Sequence, residues 1–392
     1  MTEDYFDDTL IDDHQDNLPV EEAVSEIKRV ARRKPKKDDS DDEDWVKNPG
    51  VWTNVISTGS TLLDLAISGG VVRGGGIPGG IILEIFGPES SGKTTIACEA
   101  VASAQAKGGE CKILDPECRL TRAYCEKMGI KFNPSDYETP ETVEEVFDFL
   151  IGRIVPKANK LVRDFSTAWN PDRSNINVCM VDSIAALAGE MELNQGDAMG
   201  GNRPKQFSQG LRLSKTVFRR NNSILFLTNQ LRDNMAGYGK RKTTATGNAV
   251  KFYSSVRIEL GSITKLKKKK IINGREYEKV FGQLVEATII KNSLDEPYRQ
   301  APIYIVYGYG VDDIRANLQF LKDNGAFDTI DDSGKIKKAT NYVVGSNSYK
   351  SIQEAIDAVE AENKEDEIRE KVIDLWEEIQ RGMHIGRKNK KR

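Results

Sequence analysis

The chain has 392 residues, 38% hydrophobic and 30% charged, enough for two or three domains of ~150 residues each beneath a densely charged surface. Its 57 basic and 60 acidic residues leave a net charge of −3, which excludes a polybasic surface over the whole chain and confines any nucleic-acid contact to local patches. No apolar run approaches the ~20 residues of a membrane span. The five cysteines include no C-x-x-C, and neither His14 nor His384 lies near Cys111, Cys118 and Cys125, so small buried thiols in a reduced compartment are expected rather than a metal or redox centre.

In chain order, Met1 to Asp13 is acidic and lacks the basic-then-apolar pattern of a signal peptide. A soluble cytoplasmic protein is expected, bacterial or phage-encoded. Residues 1–50 are polar and charged, with a basic block at Lys28 to Lys37, a composition that favours disorder. Within them Val20, Val24, Ile27 and Ala31 recur at helical spacing, so a helix near 18–34 is either a marginal helix in a tail or one that docks on a neighbouring subunit. Gly69 to Gly80 reads as a flexible turn before the strand Ile81 to Phe86.

Gly87-Pro88-Glu89-Ser90-Ser91-Gly92-Lys93-Thr94-Thr95 then fits the phosphate-loop pattern G-x-x-x-x-G-K-[ST]. A triphosphate needs a concave nest of backbone N–H donors, and Gly87 and Gly92 let the chain curl that tightly. Lys93 brings charge to the β- and γ-phosphates, and the Thr94 hydroxyl can complete a Mg²⁺ shell. The Ala-rich stretch Thr95 to Lys107 is a helix stopped by Gly108-Gly109. Strand, loop and helix together aim a helix N-terminus at phosphate, so ATP with Mg²⁺ is the expected cofactor.

Downstream, strands are expected at Cys111–Leu114, Ile176–Val181, Ile224–Leu227, Val256–Leu260, Leu284–Ile290 and Ile303–Val306. Helices are expected at Thr142–Ile154 and Lys205–Arg219. The alternation predicts an α/β domain on a largely parallel sheet over residues 51–310. Three strand ends carry polar residues where ligands bind in such sheets. Asp182 ends an apolar strand and suits a Mg²⁺ water shell. Glu117, two residues after Asp115, is the candidate for activating water, with Asp115 its rival. Gln230 is either a sensor of the γ-phosphate or an ordinary polar cap. Lys265 and Lys267 to Lys270 form a basic run that is either a solvated hairpin tip or a secondary nucleic-acid contact. Residues 311–392 form a small appendage, with helices at Ala316–Lys322 and Ser351–Arg381, a loop or hairpin at Asp328–Lys337 and a basic tail from Arg387.

These segments resemble one family, the bacterial and phage RecA recombinases. The similarity runs through Val55-Ile56-Ser57-Thr58-Gly59-Ser60, the phosphate loop, V-D-S-I-A-A-L at Val181 to Leu187, N-Q-L-R at Asn229 to Arg232 and T-G-N-A-V-K-F-Y-S-S-V-R at Thr246 to Arg257. It covers about Val51 to Gly310. The resemblance implies a RecA-type ATPase core and a DNA-dependent ATPase that forms helical filaments on single-stranded DNA and exchanges strands with a homologous duplex. Glu117 matches the family's catalytic glutamate, Gln230 the glutamine that couples γ-phosphate to the DNA loops, and Tyr124 the aromatic stacked on adenine. Lys291 matches a lysine that reaches the ATP of the adjoining subunit.

Glu190 to Arg203 and Leu231 to Thr246 resemble the two mobile DNA loops; both lack strand or helix periodicity. Arg232, Lys240, Arg241 and Lys242 offer charge to phosphate, Thr243 and Thr244 offer hydroxyls, and Met199 and Met235 offer wedges between bases. Lys205 and Arg212 fall near the family's arginines after the first loop, while Gly247, Asn248 and Phe252 match positions that bind phosphate or touch the neighbour. Four features depart from the pattern. Ser293 replaces a second trans-acting lysine, with Arg299 as a candidate substitute. Thr121 replaces an adenine-reading aspartate. The N-terminal segment is long and acidic, and the C-terminal tail is basic where the family ends acidic. Two other readings remain at this stage: a hexameric helicase on the same fold, and a filament-forming regulator that hydrolyses poorly.

Overall fold

The computed structural model describes residues 54–157, 160–164, 166, 168–188, 203–233, 242–244, 248–330 and 335–383. The acidic N-terminal segment with its stripe at 18–34, and the basic tail, lie outside them. Ser60 opens α1 (Thr61–Ser68) by accepting from the Leu63 amide, and all eight residues of this helix are buried. A glycine-rich turn follows, its Ile77 bridged to Ile56. Next come β1 (Ile82–Gly87), α2 (Lys93–Ala106), β2 (Cys111–Leu114), α3 (Arg122–Lys127), β3 (Tyr137–Glu138) and α4 (Val143–Ile151).

The helix expected over Thr142–Ile154 ends three residues early. Thr142 and Glu145 form a reciprocal cap at its start, and Gly152, at φ 87°, terminates it. The chain then turns into an antiparallel hairpin, β4 (Arg153–Lys157) and β5 (Lys160–Asp164). Beyond it lie β6 (Asn177–Val181), α5 (Arg203–Arg220), β7 (Ser223–Asp233), β8 (Lys242–Thr244), α6 (Asn248–Tyr253), β9 (Val256–Ile272), β10 (Arg275–Asn292), β11 (Gln300–Val306) and β12 (Gly310–Val311). The C-terminal residues form α7 (Asp313–Asp323), a small hairpin of β13 (Thr329–Ile330) and β14 (Ile336–Lys337), a second of β15 (Tyr342–Val344) and β16 (Asn347–Tyr349), then α8 (Ile352–Glu362) and α9 (Glu365–Met383).

The main sheet runs in the order β12-β11-β10-β9-β1-β7-β6-β2-β3. Every pairing from β9 through β3 is parallel, and those from β9 to β12 are antiparallel. Both faces are covered, so β1 and β6 are buried at every position and mostly apolar, with Glu84 and Asn177 as buried polar exceptions. On β6, Val178 and Met180 join the cluster beneath α2, whereas Cys179 and Val181 point to the cluster beneath α4 and α5. The first cluster also takes in Tyr342, Val359, Val372 and Trp376, so the residues after 312 share the core of the sheet. No described helix is long and apolar enough to cross a membrane.

Two further expectations change. The lysine run is not a hairpin tip; it lies along β9, whose turn is Asn273-Gly274 with φ of 51° and 76°. Nor is the whole of Leu231 to Thr246 without strand structure. β7 continues to Asp233 and pairs antiparallel with β8, Leu231 opposite Thr244, because unbroken backbone pairing extends the central strand.

Candidate active site

The parallel register brings four strand ends to one edge. Gly87 of β1 lies opposite Gln230 of β7, and Leu114 of β2 opposite Val181 of β6. The residues that follow these ends therefore converge. The phosphate loop takes its curl from Ser90 at φ 58° and Gly92 at φ 90°. A Cβ on Gly92 would lie 2.1 Å from Ile305 Cδ1, so only glycine leaves the cradle its shape. Gln283 on β10 braces the loop, its Nε2 donating to the Ser90 carbonyl at 2.8 Å, and the Tyr307 hydroxyl lies 3.3 Å from Gln283 Oε1. Ser90 to Thr95 with Gln283, Ile305 and Tyr307 line a cleft of about 270 Å³.

Lys93 Nζ donates to the Pro88 carbonyl at 2.7 Å and the Gly87 carbonyl at 3.3 Å. Burial pulls its pKa down, against the opposing pull of Asp182, Glu117 and Glu89. Thr94 Oγ1 donates to Asp182 Oδ2 at 2.7 Å, and Thr228 donates to the other oxygen. Burial raises the Asp182 pKa, and the two hydroxyl bonds oppose that rise. One hydroxyl beside one carboxylate is a hard oxygen set suited to Mg²⁺. The described residues hold no cluster of three or more His, Cys, Asp or Glu fit for an ion, so a metal here would depend on nucleotide phosphates for its other ligands.

Asp115 and Glu117 part ways. Asp115 is 1% exposed and accepts from the Glu117 and Leu120 amides and, at 2.8 Å, from the Tyr137 hydroxyl. Its oxygens are spent on folding the loop. Glu117 instead accepts from Gln230 Nε2 at 3.2 Å and pairs with Arg119 at 2.7 Å. The backbone of Gln230 is itself positioned from below: its main-chain N–H donates to Asn229 Oδ1 at 2.9 Å, and Asn229 Nδ2 donates to the buried Glu84 at 2.8 Å. Arg257 closes this set at 2.5 Å from the other Glu84 oxygen. Tyr124 bonds Thr95 Oγ1 at 3.1 Å, which sets its ring beside the start of α2. Thr121 caps α3, accepting from the Tyr124 amide.

Lys291 lies apart from this edge, donating to the carbonyls of Lys251 and Phe252 at 2.9 and 2.8 Å. Arg299 is committed within its own protomer to Asp295 and Glu296 and stacks over Trp376 at 5.1 Å. Lys205 and Arg212 are exposed on α5, and Asn248 is exposed at the start of α6. Arg232 lies on β7, and Lys242, Thr243 and Thr244 form β8. Met199, Met235, Lys240, Arg241 and Gly247 lie outside the described residues. Gln283, Tyr307 and Arg119 were missed by sequence reasoning. The aromatic at a strand end in Tyr307-Gly308-Tyr309 was the one available signal.

Residues 46–312 match the family described as the RecA N-terminal domain. The chain is 34% identical over 290 residues to Protein RecA of Rickettsia africae, covering 72% of this chain and 76% of that one. It is 35% identical over 290 residues to Protein RecA of Wolbachia pipientis, covering 72% and 73%. Among solved structures it is similar to a RadB recombinase at 18% identity and a TM-score of 0.43, over 65% of this chain and 98% of that one.

Proposed function

The chain belongs to the RecA family, and from that premise we propose an ATP-dependent recombination protein that coats single-stranded DNA as a helical filament, aligns a homologous duplex and exchanges strands. What supports this most is the convergence of Lys93, Thr94, Asp182, Glu117 and Gln230 at one sheet edge, with Gln230 on the strand that enters the second DNA segment.

The backbone N–H groups of Ser90 to Thr95 cradle the triphosphate, and Lys93 leaves the loop carbonyls for its β- and γ-oxygens. Thr94 and Asp182 hold Mg²⁺, which when bound neutralises phosphate charge. Tyr124 and Tyr307 flank the base. Glu117 orients the attacking water and accepts its proton. Gln230 reports the loss of the terminal phosphate along β7 to the DNA segment. Lys291 is presented to the site of the adjoining subunit, so nucleotide state and filament contacts are coupled. Arg232, Lys240, Arg241, Lys242, Thr243, Thr244, Gly247, Asn248, Lys205 and Arg212 hold the polynucleotide mainly through phosphate, while Met199 and Met235 wedge between bases; base pairing reads homology.

The test is strand exchange between a single-stranded circle and a homologous linear duplex. Wild type should form joint molecules with ATP, and Lys93→Ala none. Glu117→Ala should bind ATP while hydrolysis falls ~10²–10⁴-fold. Absence of joint molecules from wild type under every nucleotide condition would replace this function with the regulatory one.

A further inference from the structure

We propose that Arg119 is a second cation of the phosphate site, one that exchanges between Glu117 and the terminal phosphate of ATP and so couples release of the base to stabilisation of the transferring group. This rests on the reading of the site as an ATPase. Both oxygens of Glu117 are engaged, Oε1 by Gln230 at 3.2 Å and Oε2 by Arg119 at 2.7 Å. With each oxygen already facing a donor, one partner must leave before a water can approach Glu117 in its place.

The two partners differ in how they are held. Gln230 sits on a central strand, its backbone N–H held by the side chain of Asn229, which in turn is bonded to a fully buried Glu84. The Arg119 side chain is 76% exposed. Glu117 is 15% exposed, so only the arginine end of the pair lies in water, where screening weakens its hold. Its backbone, by contrast, is fixed. Asp115 accepts from the amides of Glu117 and Leu120 on either side, and Cys118 turns the chain between them at φ 53°. Arg119 is thus a long side chain on a rigid base, free to swing.

The destination is close. Gln230, whose side-chain carboxamide bonds Glu117, lies opposite Gly87 at the start of the phosphate loop, which places the carboxylate beside the loop that holds phosphate. The terminal phosphate carries more negative charge than one carboxylate, and the planar fork of arginine suits its oxygens. Once Arg119 has moved, Glu117 is free to take a proton. The water oxygen bonds the γ-phosphorus, the bond to the bridging oxygen breaks with its electron pair leaving on ADP, and the proton passes to Glu117 and then to solvent.

Arg119→Ala and Arg119→Lys in the full chain test this. By nucleotide fluorescence, Arg119→Ala should bind ADP as wild type does. It should bind a slowly hydrolysed triphosphate analogue about tenfold more weakly, the effect of removing one charge-assisted hydrogen bond. Its kcat with single-stranded DNA should fall ~10³-fold, the low end for a catalytic arginine, with KM little changed. Guanidinium in solution should restore part of that rate to Arg119→Ala and none to Lys93→Ala, and Arg119→Lys should fall between alanine and wild type. An Arg119→Ala protein with wild-type or raised kcat, or an unaltered preference for triphosphate over diphosphate, overturns the proposal. Lys93→Ala separates the two levels. If it loses triphosphate binding while Arg119→Ala changes nothing, only the role of Arg119 fails. If Lys93→Ala binds as wild type does, the ATPase site itself is misplaced.

Discussion

Asp64 is fully buried on α1, where its carboxylate accepts from the Ser57 hydroxyl at 2.5 Å and from the Thr58 amide and hydroxyl at 2.8 and 2.7 Å. Burial outweighs these bonds and raises its pKa from 3.8 to about 6. Between those values the folded protein keeps a proton that the unfolded chain has released. Stability contributed by this group is therefore full below pH 4 and is lost as pH rises to about 6. Asp64→Asn does not titrate. Urea unfolding of both proteins should show the variant gaining on wild type by ~3 kcal/mol between pH 4 and pH 7, and level above that. A gap that stays constant with pH would contradict the raised pKa. At this scale the sequence was most readable where a residue type is chemically irreplaceable, as with Lys93, Thr94 and Asp182. It was silent on Gln283, whose partner Ser90 is brought near only by folding. It named Glu117 ahead of Asp115 but held no reason in the residues themselves for setting Asp115 aside, because the hydroxyl that occupies Asp115 belongs to Tyr137, 22 positions away.

Among the elements, the phosphate loop is bound to its strand partners as much as to its own glycines. Gly92→Ala should strain a φ of 90° and press on Ile305. Melting should report a loss of ~1–3 kcal/mol, and nucleotide binding should weaken at least tenfold. Adding Ile305→Val should recover part of the stability but not the binding, since relieving the clash leaves the backbone strained. Equal recovery of both would place the effect in packing alone. Strand and helix identities followed from apolar runs and caps. The helix end at Gly152 and the length of the β9–β10 ribbon did not. In the ribbon, Lys267 pairs with Glu278 and Lys269 with Glu276, so cross-strand partners, rather than local hydrophobicity, extend it. The Asn273-Gly274 pair marked its turn in plain sight.

Across the molecule, the C-terminal helix is fastened to the body that carries the site. Trp376 of α9 is 9% exposed, meets the guanidinium of Arg299 and lies close against Gly69. Arg73 beside it reaches Glu370, Asp374 and Glu377 at 2.7, 2.9 and 3.0 Å. These last pairs are exposed and add little; the buried indole dominates. Trp376→Ala should cost ~3–5 kcal/mol. Because the C-terminal residues share the hydrophobic cluster of the sheet, calorimetry should show one transition at a lower midpoint rather than two. A separate early transition would mean that α9 unfolds independently. Composition marked a change after residue 311 but could not reveal this shared core, which is built by residues more than 300 positions apart.

β7 carries Gln230 and, three residues later, ends at Asp233 in its pairing with β8. At ~3.3 Å per residue, about 10 Å of stiff extended backbone separates the amide at the carboxylate from the last rung of that ladder. Such a rod does not stretch, and a slip by one residue would turn every side chain to the opposite face. Under the role proposed for Gln230, a message between the two ends would travel as a tilt or twist of the whole strand, felt by β1 and β6 on its flanks, and each turnover would be registered by the centre of the sheet as well as by its rim.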